Sequence, residues 1–149
     1  MKVSIVRLFS AYGEGLRKQL LWDALNKFRR EATGFFGTGH ELRDWIHVDD
    51  AATLLCAAAS PGQADFEIYN GGNEHADTRQ LLSQLAVISG LGRSIEFNGM
   101  THTGDPRRLT SNCMHARRQI GWMPRVVLAE GLARYVAWFK EETSSSGQA

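Results

Sequence analysis

Short β-branched or aromatic runs alternate with segments of helical periodicity, and glycine or proline closes most of them; this alternation constrains the fold more than any other feature. Val3, Ile5, Val6, Leu8 and Phe9 form a buried-strand run that Tyr12-Gly13-Glu14-Gly15 breaks. Leu16 to Arg30 then sets Leu20, Leu21, Ala24, Leu25 and Phe28 at helical spacing, with Lys and Arg on the other face. Phe35-Phe36-Gly37-Thr38-Gly39 reads as a short strand entering a tight turn, and Leu42 to Val48 as a second strand, placed to pair with it as a small hairpin. Asp49-Asp50 ahead of Ala51 to Ala59 predicts an acidic N-cap on a helix that Ser60-Pro61-Gly62 stops.

Phe66 to Tyr69 is a further strand ending in Asn70-Gly71-Gly72-Asn73, after which Asp77 or Thr78 caps a helix carrying Leu81, Leu82, Leu85 and Ile88 to the Gly90 stop. Ser94 to Phe97 is a brief strand. Asn98 to Arg108 is polar and interrupted by Gly104-Asp105-Pro106, which predicts a long loop. Ser111 or Asn112 opens a helix ending near Gly121-Trp122-Met123-Pro124, and Ala129 to Phe139 forms the last one. The pattern is that of a single α/β domain over residues 1–142, followed by a small polar tail, 143–149, expected to be disordered.

Composition removes several classes of function. Across 149 residues, 17 Lys and Arg face 16 Asp and Glu, and the net charge of +1 is spread along the chain, so neither nucleic acid nor a membrane surface is an expected partner. Cys56 and Cys113 form no C-x-x-C pair, which fits a reducing compartment and a cytoplasmic location, and Arg7 interrupts the first apolar run far short of a signal-peptide core. His40, His47, His75, His102 and His115 have no metal-ligand spacing, and no metal is expected. No G-x-S-x-G elbow supports a hydrolase, and neither G-x-G-x-x-G nor G-x-x-x-x-G-K-[ST] occurs, so Gly13 and Gly15 read as turn chemistry. Trp22, Trp45, Trp122 and Trp138 read as packing residues, and Asp49-Asp50 as a cap rather than a catalytic pair.

Read in order, Arg7 to Gly15 (RLFSAYGEG) and Gly37 to Asp50 (GTGHELRDWIHVDD) resemble the second half of an extended short-chain dehydrogenase/reductase. In the NAD-dependent nucleotide-sugar epimerases and dehydratases of that family, these stretches read R-x-x-N-x-Y-G-P-G and G-x-G-x-x-x-R-D-[FWY]-[IV]-[HY]-V-D-D. Asn70-Gly71-Gly72 resembles the family's N-[IL]-G-x-G turn, and Gly104-Asp105 with Gly121-Trp122-Met123-Pro124 its R-P-G-D and L-G-W-x-P close. The resemblance covers about residues 2 to 140. It implies the C-terminal, substrate-binding portion of a Rossmann-type fold without the N-terminal dinucleotide-binding half. The family's G-x-x-G-x-x-G and its catalytic Y-x-x-x-K are both absent: Tyr12, Tyr69 and Tyr135 are followed four positions on by Leu16, Asn73 and Phe139.

By resemblance, the chain grips a nucleotide-diphosphate sugar while NAD or NADP, bound elsewhere, takes its hydride; this chain alone is expected neither to hold the dinucleotide nor to be active. Arg43 is the implied diphosphate ligand, against a surface ion pair, because a guanidinium fork meets phosphate oxygens in pairs. Trp45 falls where relatives place an aromatic near the nucleotide, or belongs to the core. Phe36 lies on the strand that meets the nucleobase. Ser10 replaces the family asparagine beside the sugar phosphate, and Ala11 and Tyr12 border the nicotinamide. His102 stands in place of a second diphosphate arginine, with only part of an arginine's charge near neutrality. Asp105 matches a ribose-binding aspartate, against a plain Gly-Asp-Pro turn, and Arg17 and Lys18 are secondary phosphate ligands, against a solvated helix start.

The leading expectation is therefore the substrate half of a nucleotide-sugar epimerase, of the UDP-glucose 4-epimerase kind, or of a dehydratase or reductase, as a truncated product or one part of a split enzyme. The partners implied are a nucleotide-diphosphate sugar and a separate N-terminal Rossmann half or a homo-oligomer. The rival expectation is a non-catalytic binding or interaction module derived from the same family, since losing the other half exposes a strand edge and an apolar face.

Overall fold

The computed structural model describes residues 2–60, 65–92 and 94–145. Two parallel strands, β1 (Val3–Leu8) and β5 (Phe66–Gly71), form one sheet in the register Val3↔Phe66 to Leu8↔Gly71. Phe9 alone separates β1 from β2 (Ser10–Tyr12), and there the chain changes partner: the Phe9 amide donates to the Gly71 carbonyl, and β2 runs on parallel to β4 (Leu42–His47). β4 also pairs antiparallel with β6 (Glu74–Asp77), and its first two residues pair in parallel with β8 (Arg108–Leu109).

The expected hairpin does not form. β3 (Gly34–Phe35) pairs in parallel with β7 (Glu96–Phe97), far along the chain, and not with β4. The reason lies in the Gly37–Gly39 turn: Thr38 N–H, Thr38 Oγ1 and Gly39 N–H all donate to the Glu41 carboxylate at 2.8–3.0 Å, which curls the turn onto itself instead of feeding β3 back along β4.

Among the described residues five helices cover the sheets: α1 (Gln19–Arg29), α2 (Val48–Ala58), α3 (Thr78–Ser89), α4 (Met114–Ile120) and α5 (Leu128–Ser145). The α3 start is a complete capping box, Asp77 accepting from the Gln80 amide while the Gln80 side chain accepts from the Asp77 amide. Gly90 and Gly121 end α3 and α4 at φ +68° and +63°, a left-handed conformation that costs glycine little. The cap of α2 differs from the sequence expectation. His47 is the N-cap, its Nδ1 accepting from the Asp49 amide, and Asp49 and Asp50 lie inside the first turn. The Pro61-Gly62 stop lies outside the described residues.

α5 also outruns its expected end and takes in residues 143–145 of the anticipated tail. Thr143 and Ser144 turn their hydroxyls back onto the Phe139 and Lys140 carbonyls at 2.9 and 2.7 Å, which lets short polar side chains continue a helix. Residues 146–149 lie outside the described part.

β4 separates two cores. On one side Trp45 packs with Leu21, Leu25, Leu82, Leu132 and Phe139 from α1, α3 and α5; on the other Ile46 packs with Leu54, Tyr69 and Trp122 beneath α2. Trp22 and Trp138 are partly buried against each other, ring centres 5.7 Å apart, so all four tryptophans do pack.

Candidate functional site

The segment Arg43 to Asp50 organises the site, and nearly every side chain in it has a separate partner. Arg43 Nη1 donates to the Pro106 carbonyl at 2.8 Å and to that of Leu42 at 3.0 Å. Asp44, 1% exposed, accepts from the Asn73 amide at 2.8 Å and the Ser111 amide at 2.9 Å, and takes the Ser111 hydroxyl as well. It ties the glycine turn after β5 to the segment leading into α4. Asp50, 3% exposed, accepts from the Arg125 and Val126 amides at 2.9 Å each. Trp122 adds a bond from Nε1 to Thr53 Oγ1 at 3.0 Å, so the extended 121–127 stretch is stitched along α2.

A cleft of about 300 Å³ opens between β2, the start of α1, β4 and α5, lined by Ser10, Ala11, Tyr12, Lys18, Trp45 and Tyr135 among others. Five of the sequence-derived candidates, Ser10, Ala11, Tyr12, Lys18 and Trp45, therefore meet in one place. Ser10 and Trp45 are register partners. Trp45 is 6% exposed and donates Nε1 to the Ala76 carbonyl at 3.3 Å, so it serves both as core and as cleft wall. Gln19, at the mouth, adopts φ +69° although it carries a side chain, a strained conformation of the kind that gathers around functional clefts.

The tyrosines of the cleft supply no proton-transfer chemistry of their own. Tyr12 is buried, donates its hydroxyl to the Leu128 carbonyl at 3.4 Å, and meets Trp45 and His47 edge-on. Burial, and then the charges of Glu74 and Asp50, push its phenol well above the ordinary range. Tyr135 donates to the Leu16 carbonyl at 2.7 Å and is raised by burial as well. Tyr69 is raised by burial and by Glu67. Each of the three tyrosines is thus held protonated, the reverse of what an acid–base tyrosine needs. The Tyr12 hydroxyl proton is committed to the Leu128 carbonyl, and the sequence contains no glycine fingerprint at a helix start to cradle a dinucleotide's phosphates, so these residues do not by themselves fit a resident NAD site.

The remaining candidates divide. Phe36 is 44% exposed and carries His102 flat on its ring, centroids 4.4 Å apart and tilted by 20°. Asp105 is exposed in the same loop, its amide donating to the His102 carbonyl at 3.2 Å, which makes the Gly-Asp-Pro turn real. Beside Phe36 a shallower hollow of about 320 Å³ is lined by Gly34, Phe35, Phe36, Glu96, Phe97 and Asn98. Arg17 is a correction: it does not line the cleft but pairs with Glu142 of α5 at 2.5 Å, because the turn before α1 carries it outward.

Several organising residues escaped sequence reasoning. Glu14, in the loop after β2, lies 3.0 Å from His47 Nε2 and 2.9 Å from Arg134 Nε, while Arg134 Nη2 reaches Asp49 at 2.7 Å. Burial alone would raise the Glu14 carboxyl, but its own backbone amide, Arg134 and His47 outweigh that and hold it below the usual carboxylate range. Glu41 is likewise held low against its burial by the Thr38 and Gly39 donors. The available signal was an acid beside a loop glycine or in the first turn of a helix; the Arg134 that joins Glu14 to Asp49 lies 120 and 85 positions away from them and leaves no local trace.

Residues 1–72 match the profile of the NAD dependent epimerase/dehydratase family. The chain is 32% identical over 111 residues to a UDP-glucose 4-epimerase of Mycolicibacterium smegmatis, covering 74% of this chain and 35% of that protein. It is 28% identical over 145 residues to a UDP-glucuronate 4-epimerase of Thermodesulfobacterium geofontis, covering 95% and 44%. Among solved structures it superposes with TM-score 0.85 and 27% identity on a dTDP-glucose 4,6-dehydratase from Streptomyces venezuelae with NAD bound, over 97% of this chain and 46% of that one. A partial Rossmann-type α/β fold, the motif order and these matches agree: the chain is related to the NAD dependent epimerase/dehydratase family, whose profile its residues 1–72 match, and it spans less than half the length of the relatives it matches.

Proposed function

We propose that this chain is the nucleotide-sugar-binding half of an NAD(P)-dependent sugar epimerase or dehydratase, inactive until a dinucleotide-binding half completes it. One observation carries the reading: β4 joins the two groups of candidates. Arg43, beside the Phe36–His102 loop, and Trp45, in the cleft wall, stand two residues apart on one strand, about 7 Å at ordinary strand rise. A nucleotide-diphosphate sugar laid along β4 would span that interval, with its base toward Phe36, its phosphates at Arg43 and its reacting sugar toward Ser10 and Lys18. In this reading Asp105 meets the ribose, and the backbone of Ala11 borders the nicotinamide.

The β1–β5 sheet supports the need for another half. Val3, Ile5, Phe66 and Ile68 share one face, and Ile5 and Phe66 remain 41% and 58% exposed, while the opposite face with Val6 and Tyr69 is packed against the second core. Parallel strands are ordinarily covered on both sides, so this face and the β1 edge that no described strand pairs suit a further parallel strand and helix. A half carrying the glycine fingerprint and the Tyr-x-x-x-Lys pair, on this polypeptide or another, would supply both the cover and the chemistry. Within the family we favour epimerase, and a cytoplasmic, reducing setting suits two unpaired cysteines.

The same uncovered face also favours the second reading, an interaction module that keeps the fold without the reaction. Calorimetric titration with UDP and dTDP separates the two. For a competent half, Arg43→Ala weakens binding by about 1.5–3 kcal/mol, the range for a hydrogen bond to a charged group, and NAD alone gives no heat. A folded chain that binds neither nucleotide refutes the nucleotide-sugar reading and leaves the interaction module.

A further inference from the structure

The two groups best placed to hold a ligand are already engaged, and both hold the same loop. Asn98 to Arg107 is anchored at its ends by backbone: the Asn98 and Gly99 amides donate to the Phe35 and Gly37 carbonyls at 3.0 and 2.9 Å, and the Arg107 carbonyl accepts from the Leu42 amide at 2.9 Å. Between the anchors, residues 100–106 are all exposed. Asn98 Oδ1 reinforces the first anchor, accepting from the Gly37 and Met100 amides at 3.1 and 3.0 Å, and among the described residues two further side-chain contacts hold that span to the fold. The His102 ring lies flat on Phe36 at 4.4 Å, and Arg43 Nη1 donates to the Pro106 carbonyl at 2.8 Å. A flat heteroaromatic ring on Phe36 occupies the surface on which a base would stack, and Arg43 Nη1, with its two N–H bonds on the Leu42 and Pro106 carbonyls, leaves only the Nε and Nη2 edge of the guanidinium to meet an anion.

We propose that the Asn98–Arg107 loop is a self-latched lid, in which His102 and the Pro106 carbonyl stand in for the base and the diphosphate of a nucleoside diphosphate, and binding of that ligand displaces both. The inference rests on the nucleotide-sugar reading above and adds its regulation. Each latch is a single contact of ordinary strength on a span with no buried residue, so the lid opens without disturbing either core. The hydrogen bond from the Asp105 amide to the His102 carbonyl keeps the tip a turn, so the span can swing as one piece between its anchors. His102 thereby opposes the ligand rather than holding it, which reverses the role implied by its place in the motif.

The sign of one substitution tests this. His102→Ala removes the stacked ring and is expected to tighten UDP binding roughly 2–10-fold, the worth of one aromatic pair. His102→Phe keeps a flat ring on Phe36 without an imidazole and is expected to bind no more tightly than the parent protein. If both variants weaken UDP binding, His102 is a ligand residue and the lid is refuted. A second readout needs no nucleotide: proteinase K cleavage within residues 100–106, located by mass, is expected to quicken in His102→Ala and not in His102→Phe. Equal cleavage in all three proteins also overturns the latch. Faster cleavage in His102→Ala with no UDP binding by any protein sustains the latch and refutes instead the nucleotide as what opens it.

Discussion

Asp49 and Asp50 are adjacent acids in the first turn of α2, yet their removal should have very different consequences. Asp50 is buried, and each of its carboxylate oxygens accepts one backbone amide, from Arg125 and from Val126, at 2.9 Å. Asp50→Ala leaves both amides unpaired beside the second core. Two hydrogen bonds to a charged group set a ceiling of about 3–6 kcal/mol, and because the two share one carboxylate and one loop they do not add fully, so a loss of about 3–4 kcal/mol is expected. In a domain of this size that lowers the melting temperature by roughly 10 °C. Asp49 side-chain exposure is 56% and its partner is the surface guanidinium of Arg134, so Asp49→Ala should produce only a small fraction of that shift. Asp49→Asn and Asp50→Asn make a sharper comparison, since both remove one charge from the same helix start and cancel the dipole contribution. Urea unfolding followed by tryptophan fluorescence reads all four variants. Equal destabilisation by the Asp49 and Asp50 substitutions would show that both act only through the helix terminus, and would refute the clasp on the 121–127 stretch.

The Glu14 network makes stability depend on pH in a definite direction. Because Glu14 and Asp49 are held below their ordinary range in the folded chain, their contribution is present above the unfolded-state carboxylate range and is lost as pH falls through the folded values. Glu14→Gln should flatten the acid limb of a plot of urea midpoint against pH, and an unchanged limb would remove Glu14 from the account. Gly72→Ala puts a methyl group into the Asp44 carboxylate and the Ser111 hydroxyl. That overpacking should cost about 1–3 kcal/mol and appear as a lower melting temperature; a neutral substitution would mean that Asp44 does not hold the turn as described.

Much of the scaffold was legible locally. The apolar spacing of α1, α3 and α5, the Asp77 cap, and the glycines that end α3 and α4 each express a preference settled within a few residues. The motif order likewise led to the family, and Ser10, Ala11, Tyr12, Lys18 and Trp45 do line one cleft. The β3 pairing was not legible, because a two-residue strand carries no mark of its partner and the Glu41 turn that redirects it is built from side-chain bonds. Nor were the separate assignments of Asp44, His47 and Asp50, three polar residues whose amides, carboxylate and loop partners arrive from distant segments.

Periodicity, glycine placement and motif order determined by themselves the class of fold, the family, and the lack of a dinucleotide fingerprint and a Tyr-x-x-x-Lys pair, because these depend on residue type and spacing alone. Tertiary structure decided what each polar group faces. Burial keeps every tyrosine protonated, α5 takes Arg17 away from the cleft, and the 98–107 loop engages Arg43 and His102. A side chain's chemistry is set by its surroundings, and those are assembled only when segments far apart in the chain pack together.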